Sequence, residues 1–173
     1  MKKYIILLRG INVSGKNKIQ MAALRLLLNE LNFQNVQTYI QSGNILLDSE
    51  EDSMAVCQKI KKGIRNSFGF DVPVLARTVK EWSHVIENYP FPIENEKIVA
   101  FTFLNMASKE TGITIKNSEE DQYRIVNDVV YLYCPTGFAR TKLTNNSIEK
   151  KLNVIATTRN LRTTLKLLEL ATI

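Results

Sequence analysis

The strongest constraint on the fold is the order in which apolar periodicities change along residues 1–77. Short apolar runs predict buried strands, whereas apolar side chains that recur every three or four positions predict helices. A glycine-containing turn at residues 41–44 separates two of the runs, which is typical of a hairpin. The predicted strands lie at residues 4–9, 36–40, 45–47 and 72–77, and the predicted helices at 21–31 and 52–67.

The resulting order, β-α-β-β-α-β, is that of the ferredoxin-like fold. The pattern restarts after a connecting helix at residues 79–89, and there we expect a final helix in place of a fourth strand. The sequence therefore predicts an α+β protein of duplicated ferredoxin-like units with antiparallel sheets, divided as 1–78, 79–96 and 97–173. Further predicted elements are strands at 98–104, 123–126 and 129–134, a short helix at 107–113 and a helix at 144–152.

Composition bounds the function classes. The apolar run near the N-terminus covers only residues 4–8, which is too short for a signal peptide or a membrane span, so we expect a cytoplasmic, bacterial-type protein without a membrane partner. The only histidine, His84, and the two distant cysteines, Cys57 and Cys134, do not form a zinc-binding pattern. We therefore expect no metal and no cofactor, and a structural role for His84.

Positive charge is concentrated at the two ends of the chain. Residues 1–47 contain six Lys or Arg and one acid, and residues 136–173 contain seven and two. Residues 48–135 contain ten bases and fourteen acids, although the whole chain carries a net charge of +6. This asymmetry indicates an anionic partner, and scattered solvated lysines are the alternative interpretation.

Topology brings two polar loops to one edge of the first predicted sheet. The first strand ends where the turn between the second and third strands lies, and the loop after the first strand leads into a helix. Helix N-termini favour anions, and glycines let a phosphate approach the backbone. The alternative is that these residues only form turns. At this edge we expect an anion-binding site formed by Arg9, Gly10, Asn12, Lys16, Gln41, Ser42 and Asn44.

Residues 10–17 read G-x-x-x-x-G-K-N, which approaches the phosphate-binding loop of nucleotide hydrolases. That loop needs Ser or Thr where Asn17 stands, because the hydroxyl binds Mg²⁺. Those hydrolases also use parallel sheets, which the predicted hairpins disfavour. A small phosphoryl-transfer or hydrolytic enzyme that uses residues 9–18, with Asp48 near a metal held by the substrate, remains an alternative.

A second basic region lies near the C-terminus. Arg159, Arg162 and Lys166 are spaced so that they share one face of the predicted last helix. Cations at the start of a helix oppose its dipole, so this placement is consistent with a bound anion as well as with a solvated basic face. We add Arg140, Arg159 and Asn160 to the expected phosphate-binding residues.

Four segments resemble a known family. They are Leu8-Arg9-Gly10-Ile11-Asn12-Val13, Lys16-Asn17-Lys18, Thr38-Tyr39-Ile40-Gln41-Ser42-Gly43-Asn44 and Ala156-Thr157-Thr158-Arg159-Asn160. The chain resembles the bacterial domain-of-unknown-function family 1697 along nearly its whole length. The resemblance implies a duplicated ferredoxin-like protein, and it implies no activity, substrate or catalytic residue.

The leading functional hypothesis is a binding module for a phosphate-bearing ligand, with nucleic acid or a nucleotide as the partner. Arg9, Lys16 and Arg159 would contact phosphate. Asn12, Ser42 and Asn44 would donate or accept hydrogen bonds to the ligand. The alternatives are the enzyme described above and a scaffold that associates with itself through sheet edges or its basic ends.

Overall fold

The computed structural model describes residues 1–115 and 120–173. The chain divides into two compact units, Met1–His84 with Leu167–Ile173, and Val85–Lys166. Each unit contains a four-stranded antiparallel sheet, and the chain ends in a helix. The predicted α+β fold is therefore confirmed.

The first unit has the predicted β-α-β-β-α-β order, with the strands arranged β2-β3-β1-β4 in the sheet. Antiparallel pairing of β1 with both β3 and β4 places β1 in the interior of the sheet. The elements are β1 Lys2–Leu8, α1 Met21–Glu30, β2 Gln34–Tyr39, β3 Asn44–Ser49, α2 Ser53–Phe68 and β4 Val74–Thr78.

The core of the first unit forms between one face of this sheet and its two helices. Tyr4, Ile6 and Leu8 alternate along β1 and belong to one buried cluster with residues of α1 and α2. The helices approach closely at Gly63, where a Cβ atom would lie 2.8 Å from Leu31 Cδ1. This packing holds α1 against the sheet, and it thereby fixes where α1 begins.

The second unit has the same strand arrangement as the first, and its described residues form no helix between its first two strands. Its strands are arranged β6-β7-β5-β8, which corresponds to β2-β3-β1-β4 of the first unit. A connecting helix α3 and a short 3-10 helix at Glu96–Ile98 precede it. The elements are α3 Val79–Glu87, β5 Val99–Leu104, β6 Gln122–Val126, β7 Val129–Tyr133, α4 Asn145–Leu152, β8 Ala156–Asn160 and α5 Leu161–Thr172.

Two predictions for the second unit are wrong. A fourth strand exists, because β8 pairs with β5 and places Arg159 opposite Phe101, and the final helix follows it as an addition. The short helix predicted at 107–113 is absent. Instead, the Tyr123 hydroxyl accepts a hydrogen bond from Ile113 N and donates one to Ile113 O, both at 2.8 Å. These bonds hold the segment in an extended path.

Among the described residues, no helix combines the length and apolar character that crossing a membrane requires.

Candidate functional site

The loop after β1 and the turn between β2 and β3 are joined at one edge of the first sheet. Leu8 N donates to Gly43 O at 2.8 Å, and Asn12 Nδ2 donates to Gln41 O at 2.8 Å. The structure thus brings together the two loops that topology places at the same edge. Arg9 N extends the junction to the start of β4 by donating to Pro73 O at 3.0 Å.

Asn12 organises the loop. Its side-chain Oδ1 accepts from Ile19 N at 2.9 Å, and its Nδ2 also donates to Ile19 O at 3.0 Å. The residue has a φ of +53°, a left-handed conformation that Asn tolerates better than most residues. Asn12 therefore closes the loop onto the residue that precedes α1 by two positions.

Tight turns give the loop its shape between Asn12 and Ile19. Lys16 N donates to Val13 O at 2.9 Å, and Asn17 Nδ2 donates to Gly10 O at 3.2 Å. Gly10 and Gly15 have φ values of +76° and +75°, and a Cβ atom at either position would meet no atom within 4 Å. The space beside the Cα atom of both glycines is therefore free of other protein atoms. The Lys16 side chain is exposed.

A cleft of about 610 Å³ lies between this loop, the start of α1 and the β2–β3 turn. None of the side chains that line it is acidic. Its lining residues are Asn12, Gly15, Lys18, Ile19, Gln20 and Gln41. The prediction included Asn12 and Gln41 and missed Lys18, Ile19 and Gln20. Their position directly before the apolar stripe of α1 was the signal that could have identified them.

The N-terminus of α1 has no side-chain cap. Gln20 occupies the N-cap position without a capping hydrogen bond, and the first turn contains no acidic residue. The first hydrogen bond of the helix runs from Leu24 N to Gln20 O, so the preceding three amides lie outside the helical ladder. By contrast, Asp52 caps α2 by accepting from Ala55 N at 2.9 Å. The end of α1 beside the cleft therefore favours negative charge.

One predicted residue, Asn44, supports the turn from inside the fold. Asn44 is fully buried, and its Nδ2 donates to Tyr39 O at 3.1 Å and to Ser42 Oγ at 2.9 Å. The expectation that Asn44 contacts a ligand is therefore revised, because it is the first residue of β3 and its side chain closes the turn. Ser42 and Gln41 are exposed, and Arg9 is half-buried.

Asp48 does not lie with the loop. It is near the far end of β3, four residues from Asn44, and a strand advances by about 3.3 Å per residue, so the separation is about 13 Å. Its Oδ2 accepts from Asn35 Nδ2 at 2.7 Å. A metal at the loop held by Asp48 is therefore inconsistent with the structure.

The three predicted residues of the second unit are not all adjacent in sequence: Arg140 lies between β7 and α4, whereas Arg159 and Asn160 are the last two residues of β8. Arg140 is exposed between β7 and α4, and Asn160 Oδ1 caps α5 by accepting from Thr163 N at 2.9 Å. Arg159 is only 8% exposed and lies in β8, where its guanidinium donates to Thr157 Oγ1 at 2.8 Å. The expected helix face that includes Arg159 is therefore wrong, because this residue belongs to the sheet.

The two cysteines are free thiols, of which Cys57 is half-buried and Cys134 is buried. Burial raises the pKa of Cys57 and of Cys134 to about 11. Since the thiolate is the nucleophile, both side chains are poorly reactive at neutral pH. In residues 1–115 and 120–173, no three His, Cys, Asp or Glu side chains are grouped as metal ligands.

Comparison with known proteins identifies the family. The sequence model of the family described as Protein of unknown function (DUF1697) matches residues 1–131, and the chain belongs to this family. The solved structure of the conserved bacterial protein SP0830 from Streptococcus pneumoniae superimposes with a TM-score of 0.69. That match covers 98% of both chains at 22% sequence identity, which shows the shared fold. No curated protein matches the sequence.

Proposed function

We propose that this DUF1697 protein binds a phosphate-bearing ligand, a nucleotide or a nucleic acid, in the cleft between the loop after β1 and the β2–β3 turn. The observation that carries the proposal is the coincidence of a cleft of about 610 Å³ with a basic, acid-free loop. Pockets of this volume are typical of small-molecule sites. The uncapped start of α1 adds to the attraction for an anion.

The sequence at this edge is basic. Arg9, Lys16 and Lys18 lie within ten residues of one another, and residues 9–20 contain no acid. At the opposite edge of the same sheet, acids and bases neutralise one another, as in the 2.7 Å ion pair between Lys59 Nζ and Glu51 Oε1. An anion that approaches the first unit is therefore attracted to the loop edge in preference to the opposite one.

A smaller basic cleft on α2 fits the proposal less well. It has a volume of about 260 Å³ and is lined by Lys61, Lys62 and Arg65 together with Asp71. Arg65 NH1 lies 3.4 Å from Asp71 Oδ2, so a carboxylate already occupies part of this cleft. The α2 lysines are therefore suitable as a matched control for the loop lysines.

The test compares two double variants of equal charge. We expect Lys16→Ala/Lys18→Ala to weaken binding of a fluorescent single-stranded oligonucleotide by about tenfold or more, and to lower the salt slope by about 0.7 for each lysine that neutralises a phosphate. Lys61→Ala/Lys62→Ala should change neither value by as much. Fluorescence polarisation from low to high salt measures both. Equal affinities and salt slopes for the two variants and the parent would overturn the proposal.

We also infer that the protein works in the bacterial cytoplasm. Cys57 and Cys134 are both free thiols, which suits a reducing compartment, and the similar solved structure is that of a bacterial protein. Fractionation of bacterial cells that express the native gene should recover the chain with cytosolic markers. Recovery with periplasmic or membrane markers would contradict this inference.

A further inference from the structure

We infer that the carboxamides of Gln20 and Gln41 read the edge of a nucleobase in this cleft. This inference rests on the proposed function, because it names the residues of the same cleft that recognise the base of a nucleotide or a nucleic acid. It depends on side chains that line the cleft and on their neighbours in sequence, and a phosphate alone would not need them.

The first argument concerns the two carboxamides. Gln20 and Gln41 both line the cleft and both are exposed. A carboxamide offers a donor pair and an acceptor on one plane, which matches the adjacent donor and acceptor on the edge of a base such as adenine. The bond from Asn12 Nδ2 to Gln41 O fixes the backbone of Gln41, which reduces the ordering that binding requires.

The second argument concerns two exposed apolar residues next in sequence to residues that line the cleft. Val13 follows Asn12 and is 58% exposed, and Ile40 precedes Gln41 and is 50% exposed. The flat face of a base is apolar and its edge is polar, and an apolar side chain next to a carboxamide offers the same combination.

The third argument concerns the backbone at Ile40. Its φ is +50°, in the left-handed region, where a β-branched side chain is strained. Asn or Gly at this position would make the turn more stable. The isoleucine is therefore unfavourable for the fold, and strained residues of this kind are concentrated at functional sites. We therefore expect the exposed Ile40 side chain, which lowers the stability of the turn, to contact the ligand.

The experiment compares three ligands that differ in one group at a time. Isothermal titration is carried out with AMP, ribose 5-phosphate and inorganic phosphate on the full chain. We expect AMP to bind at least tenfold more tightly than ribose 5-phosphate. The Gln41→Ala variant should lose about tenfold in AMP affinity and should leave ribose 5-phosphate binding unchanged. Gln37→Ala, on the exposed strand β2, is the matched control and should bind both ligands as the parent does.

A second variant separates recognition from stability. Ile40→Asn should raise the melting temperature, because Asn relieves the strained backbone, and should weaken AMP binding, because the apolar face is lost. A structural role for Ile40 alone would give the higher melting temperature with AMP affinity unchanged. That result would overturn the assignment of Ile40 to base binding.

The outcomes distinguish this inference from the proposal on which it rests. Equal binding of AMP and ribose 5-phosphate overturns the nucleobase inference and leaves phosphate binding standing. Failure of every phosphate-bearing ligand, with a short single-stranded oligoadenylate included, overturns both. Tight binding of the oligoadenylate that Gln41→Ala weakens about tenfold, together with AMP binding that is weaker but still exceeds that of ribose 5-phosphate, assigns the base to a nucleic-acid strand rather than to a free nucleotide.

Discussion

The two units join their first strand to their hairpin by equivalent hydrogen bonds, but they carry different side chains at this junction. In the first unit, Leu8 N donates to Gly43 O at 2.8 Å. In the second unit, Leu104 N donates to Asp128 O at the same distance. Each donor is the last residue of a central strand, and each acceptor lies in the turn between the next two strands.

A second pair of bonds repeats the correspondence. Arg9 N donates to Pro73 O, and Asn105 N donates to Ile155 O, both at 3.0 Å. Both bonds join the residue after the central strand to a residue just before the last strand of the same sheet. These two pairs of bonds, which join the end of the central strand to the hairpin turn and to the last strand, form what we call the backbone frame. The frame is therefore present in both units, although their side chains differ.

The two units carry different side chains at corresponding positions of the frame. Where the first unit has the cation Arg9, the second has Asn105, whose Oδ1 accepts from Ile155 N at 2.8 Å. The first unit continues with an open basic loop and a helix, whereas Tyr123 clamps the corresponding segment of the second unit at Ile113. The comparison teaches that the two units share their backbone hydrogen bonds, whereas the loops and side chains attached to them differ.

The largest expected effect breaks the frame of the first unit. A Cβ atom at Gly43 would lie 2.7 Å from Leu8 Cβ, and φ there is +78°. We expect Gly43→Ala to lower the free energy of unfolding by about 3 kcal/mol, because the clash adds to the left-handed backbone penalty. Gly137→Ala has the same penalty with no atom within 4 Å, and should cost only about 1 kcal/mol. Urea unfolding measures both, and equal losses would show that the frame tolerates a side chain at Gly43.

A smaller effect on stability is expected from the residue that joins each loop to the neighbouring turn. Asn12 joins its loop to the turn through its side chain, whereas Ser108 does so through its backbone, with N donating to Asn127 O at 2.8 Å. We expect Asn12→Ala to cost about 2 kcal/mol and to abolish ligand binding, since its side-chain hydrogen bonds to Ile19 and Gln41 are removed. Ser108→Ala keeps its backbone bond and removes only exposed hydrogen bonds between its hydroxyl and Glu110, so it should cost about 0.5 kcal/mol. Similar losses in thermal unfolding would contradict this distinction.

The smallest expected effect on the free energy of unfolding concerns the two cysteines, one in each unit. Burial raises the pKa of Cys57 and of Cys134 to about 11 from an ordinary value near 9, so the folded chain retains these protons at a pH where the unfolded chain loses them. Each thiol therefore contributes stability that is fully present below about pH 9 and is lost as the pH rises towards 11.

The two thiols can be tested separately. Between pH 8 and pH 10.5, we expect Cys57→Ala and Cys134→Ala each to remove about 1–2 kcal/mol of the parent's loss in unfolding free energy. Denaturant unfolding at the two pH values measures the difference. A variant that loses as much stability as the parent over this interval would show that its thiol does not titrate in the folded state as described.

Sequence periodicity predicted the first unit well because its strands and helices alternate apolar and polar positions in the regular way. The edge at which the loops meet followed from strand order alone. Strand β8 was missed because Thr157, Thr158 and Arg159 show no apolar alternation, and pairing with β5 supplies what the local pattern lacks.

Within the candidate site, the structure places several residues differently from what their sequence context suggested. Asn44 looked like an exposed turn residue, but as the first residue of β3 it is fully buried. Lys18 and Gln20 were missed because α1 starts later than the last glycine of the loop, so the residues just before the helix line the cleft. Sequence spacing does not reveal such placements, since they depend on how the loop folds back onto Ile19 through Asn12.

The raised pKa of both native thiols makes the protein easy to label at a chosen position. With a pKa of about 11, roughly one native thiol in ten thousand is ionised at pH 7, so maleimide dyes react with both cysteines very slowly. Ser14 is exposed in the loop beside the cleft, and Ser14→Cys changes a single atom. A fluorophore attached there would report on the cleft directly, in a chain that keeps both of its native cysteines.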